Sequence, residues 1–499
     1  MNAARTQKDR AAARPHRPQA VLAALAAAQF TVMLATSIVN VALPQISAGV
    51  GLSDGGTTWV VNAYGLAFGA LLLAGGRVGD LLGRRRVLIA GLALFALSSL
   101  AAGLATSSAV LIAARAVQGL GAAAIAPAAL ALVMESFPTG AGRGRALGVW
   151  GAVSGAGGAS GVILGGALTQ AWGWPWIFHS VALATAGVLA AVVLLVPRPA
   201  AGAAEPAGRF DLLGTTTVTL ALTGLVWGLT TARGAGWTDP RVLGALGAAV
   251  LLLGAFVVIE RSRPHALVPP RLFRTGRVAA GNLLMALMGS VWIALFFFLP
   301  LYQQHVLGSG PLATGLGQLP FAAANMLGAV LAPQIARRFG ARATVTAALL
   351  IEAAGMLWLS RLHADGSYAV DVLGPSVLVG LGLSISFVEL TTFAVDGVPG
   401  KDTGLAGGLV NTTRQVGGVI GLAVLTTLAG SVTAAAHEPV REALTAGYRA
   451  AFTVSAAILA ATALLALFLT RPTSPRTTTP ATAPAPEPRP VGPGLSRSH

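Results

Sequence analysis

Cysteine is absent from this chain of 499 residues, which excludes disulfides, thiol catalysis and cysteine-ligated metals. Charge is scarce: Asp, Glu, Lys and Arg make up only 10% of the residues, against roughly 25% in ordinary soluble domains. Lysine occurs only at Lys8 and Lys401, so nearly all the basic residues are arginine. Missing too are the phosphate-cradling pattern G-x-x-x-x-G-K-[ST], the H-E-x-x-H pattern, and any grouping of His and Asp ligands. These gaps speak against direct nucleotide drive, against an integral membrane enzyme and against a metal site. No cofactor is expected.

What the chain has in excess is apolar surface. It is 55% hydrophobic and its mean hydropathy is +0.73, an excess that must face lipid. The net charge of +16 would suggest nucleic acid in a soluble protein. Here the basic residues sit in turns between apolar runs and not on one helix face, so no nucleic-acid partner is expected.

With a span of about 20 residues as the unit, fourteen candidates follow, centred near Met33, Phe68, Phe95, Ala122, Ala156, Thr185, Leu220, Leu251, Ile293, Ala323, Leu350, Leu383, Gly417 and Ala460. The first apolar run, Ala20 to Leu43, is longer than the roughly 7 to 15 residues of a signal core and reads as a retained span. An even count puts both termini on one side. Assigning the termini and the even-numbered turns to the cytoplasm gives them roughly 26 of the 33 Lys and Arg, with about five in the opposite turns and two inside spans, as the positive-inside rule demands. A multi-pass protein of the cytoplasmic membrane is expected, acting as a monomer, with lipid as its surroundings.

The longest cytoplasmic connections, Arg198 to Arg209 and Glu260 to Arg277, isolate spans 7 and 8 between two sets of six. The expected organisation is a basic leader at 1–19, a first six-helix half at 20–197, a linker with two extra spans at 198–277, a second half at 278–470 and a disordered tail at 471–499. The halves echo each other: Pro333 to Arg342 follows the second span of its set as Gly76 to Arg85 follows the second span of the first, with Gly83 and Gly340 aligned. Such duplication is typical of transporter folds.

Several segments carry specific chemistry. Gly76 to Val87, G-R-V-G-D-L-L-G-R-R-R-V, reads as a charged turn between spans 2 and 3. Asp80 and Arg84 lie four apart and can pair, and Asp80 near a helix N-terminus would suit the positive end of the dipole. Arg115 falls inside span 4, where a cation costs at least about 2.5 to 3.5 kcal/mol, so it should face a polar cavity. Gln118, three residues on, shares its helix face. Span 5 carries Gly151, Gly155, Gly157, Gly161, Gly165 and Gly166, whose spacings let a neighbouring helix approach closely. Glu352 and Glu389 are the two acidic residues clearly inside spans, costly there unless protonated or paired, as a proton carrier would be. Glu389 sits among small polar residues that can line a cavity, whereas Glu352 can alternatively pair with an arginine. Met285, Met288, Trp292 and Phe296 form a stripe on span 9 suited to loosely shaped apolar ligands, or to lipid and helix contacts.

Taken together, L-A-T-S-I-V-N-V-A-L-P at Leu34 to Pro44, the turn at Gly76 to Val87, L-I-A-A-R-A-V-Q-G-L-G at Leu111 to Gly121, the glycine ladder and N-T-T-R-Q-V-G-G at Asn411 to Gly418 resemble the major facilitator superfamily, in its fourteen-span drug:proton antiporter branch. The resemblance implies an all-α integral membrane fold of two six-helix halves plus two linker helices. It implies export of a hydrophobic drug or secondary metabolite in exchange for protons, by alternating access, with the proton gradient as energy source. It gives Gly76, Asp80, Gly83, Arg84 and Arg85 a role in a cytoplasmic gate, links Arg115 to proton transfer, places Asn40 on the same pathway, and associates the ladder of Gly151, Gly155, Gly157, Gly161 and Gly165 with antiport. The chain departs from the family at two points. Val162 follows Gly161 where relatives have proline, and Ala35 follows Leu34 where relatives commonly have an acid. The second departure requires coupling to be carried elsewhere, or a cargo other than a lipophilic cation; a facilitator or a proton symporter importing a small solute is the alternative.

Overall fold

The computed structural model describes residues 18–137, 140–197, 211–263, 267–274, 276–398 and 403–469. The expected leader up to residue 17, the connection Arg198 to Arg209 and the tail from residue 470 lie outside the described residues.

Among the described residues, fourteen helices are long and apolar enough to cross a membrane. They are α1 (Pro18–Val50), α2 (Asp54–Leu82), α3 (Arg84–Gly103), α4 (Ser108–Ser136), α5 (Gly140–Trp172), α6 (Pro175–Leu195), α7 (Leu212–Ala235) and α8 (Pro240–Ser262). After these come α9 (Val278–Val306), α10 (Pro311–Phe339), α11 (Ala341–Leu359), α12 (Tyr368–Val395), α13 (Thr403–Ala435) and α14 (Val440–Leu469). Each expected span centre falls inside its helix.

Their starts follow from side-chain caps and prolines. Ser53 accepts from the Gly56 amide at 3.1 Å and Ser107 from Val110 at 3.4 Å, each satisfying an otherwise orphaned donor at the helix N-terminus. Pro175 and Pro240 open α6 and α8 at the position where a missing N–H costs nothing. Residues Tyr302–Val306 of α9 and Tyr368–Leu373 of α12 widen into π geometry, and α10 is interrupted at Gln318.

The expected charged turn after span 2 is mostly helix. α2 runs on to Leu82 and α3 begins at Arg84, leaving Gly83 alone between them at φ +95°. Glycine tolerates that conformation without a Cβ clash, and its N–H closes α2 on the Gly79 carbonyl at 3.0 Å. Gly340 repeats the device between α10 and α11 at φ +83°. Asp80 therefore stands in the last turn of α2 and not at a helix N-terminus, a correction to the sequence reading: an apolar run followed by charges does not show where a helix stops when one glycine suffices to turn the chain.

Neighbour relations repeat across the molecule. α1 packs on α4, α5 and α6, α2 on α4, and α3 on α4 and α6; α9 packs on α12, α13 and α14, α10 on α12, and α11 on α12 and α14. The two groups meet along two seams, α2 with α13 and α5 with α10, and where α1 touches α9. α7 and α8 pair with each other, and α7 also rests on α2 and α13. Much of the periphery is apolar and exposed, as at Leu183, Leu194, Val250 and Leu251, which is the surface a bilayer would cover.

Candidate functional site

A cavity with about 1140 Å³ of empty space lies between the two groups. α1 contributes Met33, Thr36, Ser37 and Asn40; α2 contributes Val61, Tyr64 and Gly65; Arg115 comes from α4. Ser154, Gly155, Gly158, Ala159 and Val162 of α5 form one side, Trp292, Ile293 and Phe296 of α9 another, and Gln318, Phe321, Asn325 and Met326 of α10 the third, with Gln415 from α13. The wall is mostly apolar, with one cation and a few amides and hydroxyls. Such a lining holds hydrophobic molecules by area and orients them by few polar contacts.

Arg115 is 1% exposed and fully engaged. Its Nε donates to the Val60 carbonyl at 3.0 Å, one Nη donates to Gln118 Oε1, and its guanidinium lies 4.3 Å from the centroid of the Tyr64 ring. Gln118 Nε2 donates in turn to Ser99 Oγ at 2.7 Å. Backbone, amide and aromatic face thus offset the cost of burying the cation. The expectation that Arg115 faces a polar cavity holds in part: it reaches a cavity, but a mainly apolar one. Gln118 sits behind it, off the cavity wall, and fixes its position. The hydroxyl of Thr36 donates to Tyr64 at 3.2 Å, which extends the network to α1.

A second buried arginine went unassigned at the sequence level. Arg414 of α13 is 9% exposed, with its guanidinium 4.1 Å from the Trp292 centroid and 5.2 Å from that of Phe387 and one Nη donating to Asn411 Oδ1 at 2.9 Å. The signal was present in N-T-T-R-Q-V-G-G, where an arginine interrupts an apolar span as Arg115 does. Gln318, Asn325 and Gln415 were also missed, since single amides in apolar runs carry no periodic signature.

The span 9 stripe divides. Trp292 and Phe296 line the cavity, their rings edge-to-face at 6.0 Å, while Met285 and Met288 are fully buried in the helix core and do not line it. Spacing alone placed all four on one side, but α12 and α13 cover the end of α9 that holds the methionines. Glu352 and Glu389 are also off the cavity wall. Glu352 is fully buried and accepts from Ser386 Oγ at 3.3 Å, and among the described residues no arginine pairs with it, so the alternative of an ion pair is not realised. Glu389 is 5% exposed and has no hydrogen-bond partner among the described residues. Ala35, 1% exposed, points into helix packing and not into the cavity.

The glycine ladder serves two faces. A Cβ on Gly157 would stand 2.9 Å from the Phe30 carbonyl oxygen and one on Gly161 2.7 Å from that of Leu34, while Gly165 presses against the Ile38 carbonyl. These three let α5 lie directly on α1. Gly155 lines the cavity instead, and Gly151 faces open space, so the ladder's close helix approach is made by the three glycines spaced four apart. On α13, Gly417 and Gly421 meet the Ala286 and Ser290 carbonyls of α9 in the same manner.

At the arginine-rich end, Arg84 donates from Nε and Nη2 to Asp80 Oδ1 at 3.1 and 3.0 Å and from Nη1 to Glu135 of α4. Arg85 donates to the Val193 and Val196 carbonyls at the end of α6, at 2.8 and 2.9 Å, where a helix C-terminus favours a cation. Gly76 faces Pro127 at an ordinary 3.5 Å; the tight approach belongs to Gly75, which meets the Ala123 carbonyl.

The opposite end is closed. Gln45 Nε2 donates to Gln304 Oε1 at 3.2 Å and Gln304 Nε2 to the Val41 carbonyl at 2.7 Å, joining α1 to α9. The Leu312 amide donates to Gln170 Oε1 at 3.2 Å, and Gly166 meets Pro311, joining α5 to α10. Toward the arginine-rich end α5 and α10 part: Gly148, Gly151, Gly155 and Gly158 face open space, and Met326 and Leu327 are each 53% exposed.

With this geometry established, the chain can be placed among known proteins. Residues 25–422 match the model of the Major Facilitator Superfamily, and the chain belongs to that family. It is 43% identical to the cephamycin export protein CmcT of Amycolatopsis lactamdurans over 411 residues, 81% of this chain and 84% of that one. It is 38% identical to the puromycin resistance protein pur8 of Streptomyces alboniger over 459 residues, 90% of each. Among solved structures, a bacterial homolog of the human lysosomal transporter Spinster, in an inward-facing and unoccupied conformation, superposes with a TM-score of 0.66 at 16% identity, covering 92% of this chain and 97% of that one. This likeness establishes the fold.

Proposed function

We propose that this protein exports bulky hydrophobic compounds, antibiotics or related metabolites, in exchange for protons. The observation that carries the reading is the cavity: mostly apolar, with one buried cation and a few amides and hydroxyls, at the junction of two groups of helices with matching neighbour relations. Such a junction can rock to expose the cavity to either side in turn. The relatives named for export of a cephamycin and resistance to puromycin support a cargo of that kind. The chain acts in transport and not in catalysis. The arginine-rich end faces the cytoplasm of the cell that carries the protein in its cytoplasmic membrane, so the closed end faces outward and the state described is open inward. Helices α1–α6 and α9–α14 are the moving halves, α7 and α8 a peripheral linker, and one chain suffices.

Energy comes from the proton gradient, where one charge moving through about 100 mV supplies roughly 2.3 kcal/mol. Arg115, held by Gln118, is the cavity's fixed cation. Glu389 and Glu352 are the proton carriers, connected to the cavity when the halves rock, and Asn40 orients cargo beside Arg115. The Asp80–Arg84 pair, with Gly76, Gly83 and Arg85, is the inner gate. Liposomes with an imposed pH gradient test this. Gradient-driven dye movement is expected in the wild type and is lost in Glu389→Gln while dye exchange without a gradient persists. Undiminished gradient-driven transport in Glu389→Gln removes that residue from coupling, and transport indifferent to a protonophore makes the protein a facilitator.

A further inference from the structure

Behind the α2–α13 seam lies a second crevice, with about 1450 Å³ of empty space, and the cargo path does not use it. Its walls are Leu222 of α7, Phe256 and Val257 of α8, Leu73 of α2, and Leu409 and Val416 of α13. Thr412 and Thr413 interrupt the apolar α13 wall, and the charged groups all lie at one end. There Glu260, which the sequence reading assigned to a turn, is buried in the last turns of α8 at 4% exposure. Its two oxygens accept from the Leu267 and Val268 amides at 3.2 and 2.7 Å, so the carboxylate is consumed in holding the chain that leads to α9. Arg261 and Arg274 line the same end.

The neighbouring acids are already occupied. Asp211 accepts from Arg263 at 3.2 Å and caps α7 through Gly214, and Asp396 pairs with Arg277 at 3.5 Å. Arg261 and Arg274 have no ion pair or hydrogen bond among the described residues. Two uncompensated cations thus stand at the mouth of a long, mostly apolar slot. The slot opens toward the membrane, where Val257 is 46% and Phe273 42% exposed.

We infer that this crevice holds an anionic phospholipid, its acyl chains between α7–α8 and the α2–α13 seam and its phosphate on Arg261 and Arg274. A soluble anion has no use for the apolar walls, and a neutral lipid none for the cations; an anionic lipid in the leaflet at the arginine-rich end matches both. The inference is independent of what the protein exports.

Native mass spectrometry of the full-length protein, titrated with phosphatidylglycerol or phosphatidylcholine, tests it. The wild type is expected to retain one phosphatidylglycerol in preference to phosphatidylcholine. Retention should be about thirtyfold weaker in Arg261→Gln/Arg274→Gln, at about a tenfold effect per 1.4 kcal/mol and the usual contribution of an arginine at an anionic surface. It should be unchanged in Arg337→Gln/Arg338→Gln, which removes two cations at the same end outside the crevice. Val257→Trp, which fills the slot and leaves both arginines, should also displace the lipid. Equal retention of the two lipids, retention unaffected by the double change or by Val257→Trp, or full displacement by inorganic phosphate each overturns the proposal. If the double variant does not fold, the single variants read the same quantity, each with about a fivefold loss expected.

Discussion

The two seams between the helix groups are equivalent by the internal repeat, yet they are built differently. In the α2–α13 seam a Cβ on Gly69 would stand 2.8 Å from that of Gln415, and one on Gly65 2.9 Å from Val419, while Gly408 approaches Leu73 toward the arginine-rich end. α7 packs against both helices from behind. The α5–α10 seam closes only at the arginine-poor end, and among the described residues no helix packs outside it. Both buried arginines among the described residues also belong to the first seam: Arg115 bonds to α2 at Val60, and Arg414 is on α13. The second seam presents Gly155, Asn325 and Met326 to the cavity and no charge. Duplication therefore supplies the scaffold, while the extra helices and two arginines make one side a braced, charged wall and leave the other to open.

The sharpest test of this asymmetry is steric. Gly69→Leu pushes a side chain into Gln415 and the Val416 backbone, 3.5 Å behind it. Overpacking of this kind costs about 1 to 3 kcal/mol or more. A Cβ on Gly155 meets nothing within 4 Å and the side chain beyond it enters the cavity, so Gly155→Leu should change stability by no more than about 0.5 kcal/mol. Thermal unfolding in detergent should show a fall of several degrees for Gly69→Leu and none for Gly155→Leu. Equal falls would mean that the seams are braced alike.

Next in size is the loss of the charged wall. Arg115→Ala removes two hydrogen bonds to a charged group and strands Gln118 Oε1. At about 1.5 to 3 kcal/mol for such a bond, initial transport rates should fall at least tenfold in vesicles, with protein levels checked by blotting. Arg115→Lys keeps the charge but cannot meet Val60 and Gln118 in the same plane, so it should recover only a small part. Full activity in Arg115→Ala would reduce the cation to a packing element and leave the two seams differing only in shape.

The sequence revealed the scaffold and little of the asymmetry, for physical reasons. A span is legible because a lipid-facing helix needs about 20 apolar residues in a row, and Gly83 and Gly340 betray the repeat because a helix reversal in one residue demands positive φ. Arg115 stands out since a cation in such a run is expensive. Which face of a helix meets the cavity is not written in hydropathy, because lipid and protein interior are equally apolar. Hence Met285 and Met288 look like Trp292 and Phe296, and Gly151 looks like Gly161. Glu260 was hidden for the opposite reason: it lies next to an arginine at a helix end, where acids are ordinarily solvated, and only the Leu267 and Val268 amides folding back onto it reveal its burial.

The smallest effect is expected at the latch on the first group of helices. Asp80 and Arg84 form their pair at 3.0 Å with side chains 49% and 35% exposed, and a pair so open to solvent contributes about 0.2 to 1 kcal/mol. The second group has Arg337 and Ala341 at the matching places and so cannot form it. Asp80→Asn should therefore shift the balance between inward- and outward-open states by no more than about fivefold, read from cysteine accessibility at a single cysteine introduced at Met326 on the native cysteine-free background. Arg84→Ala should shift it further, since Glu135 loses its partner as well. If Asp80→Asn abolishes transport outright, the latch contributes far more than a solvated ion pair can, and the first group's inner end must be counted with Arg115 among the features that separate the two halves.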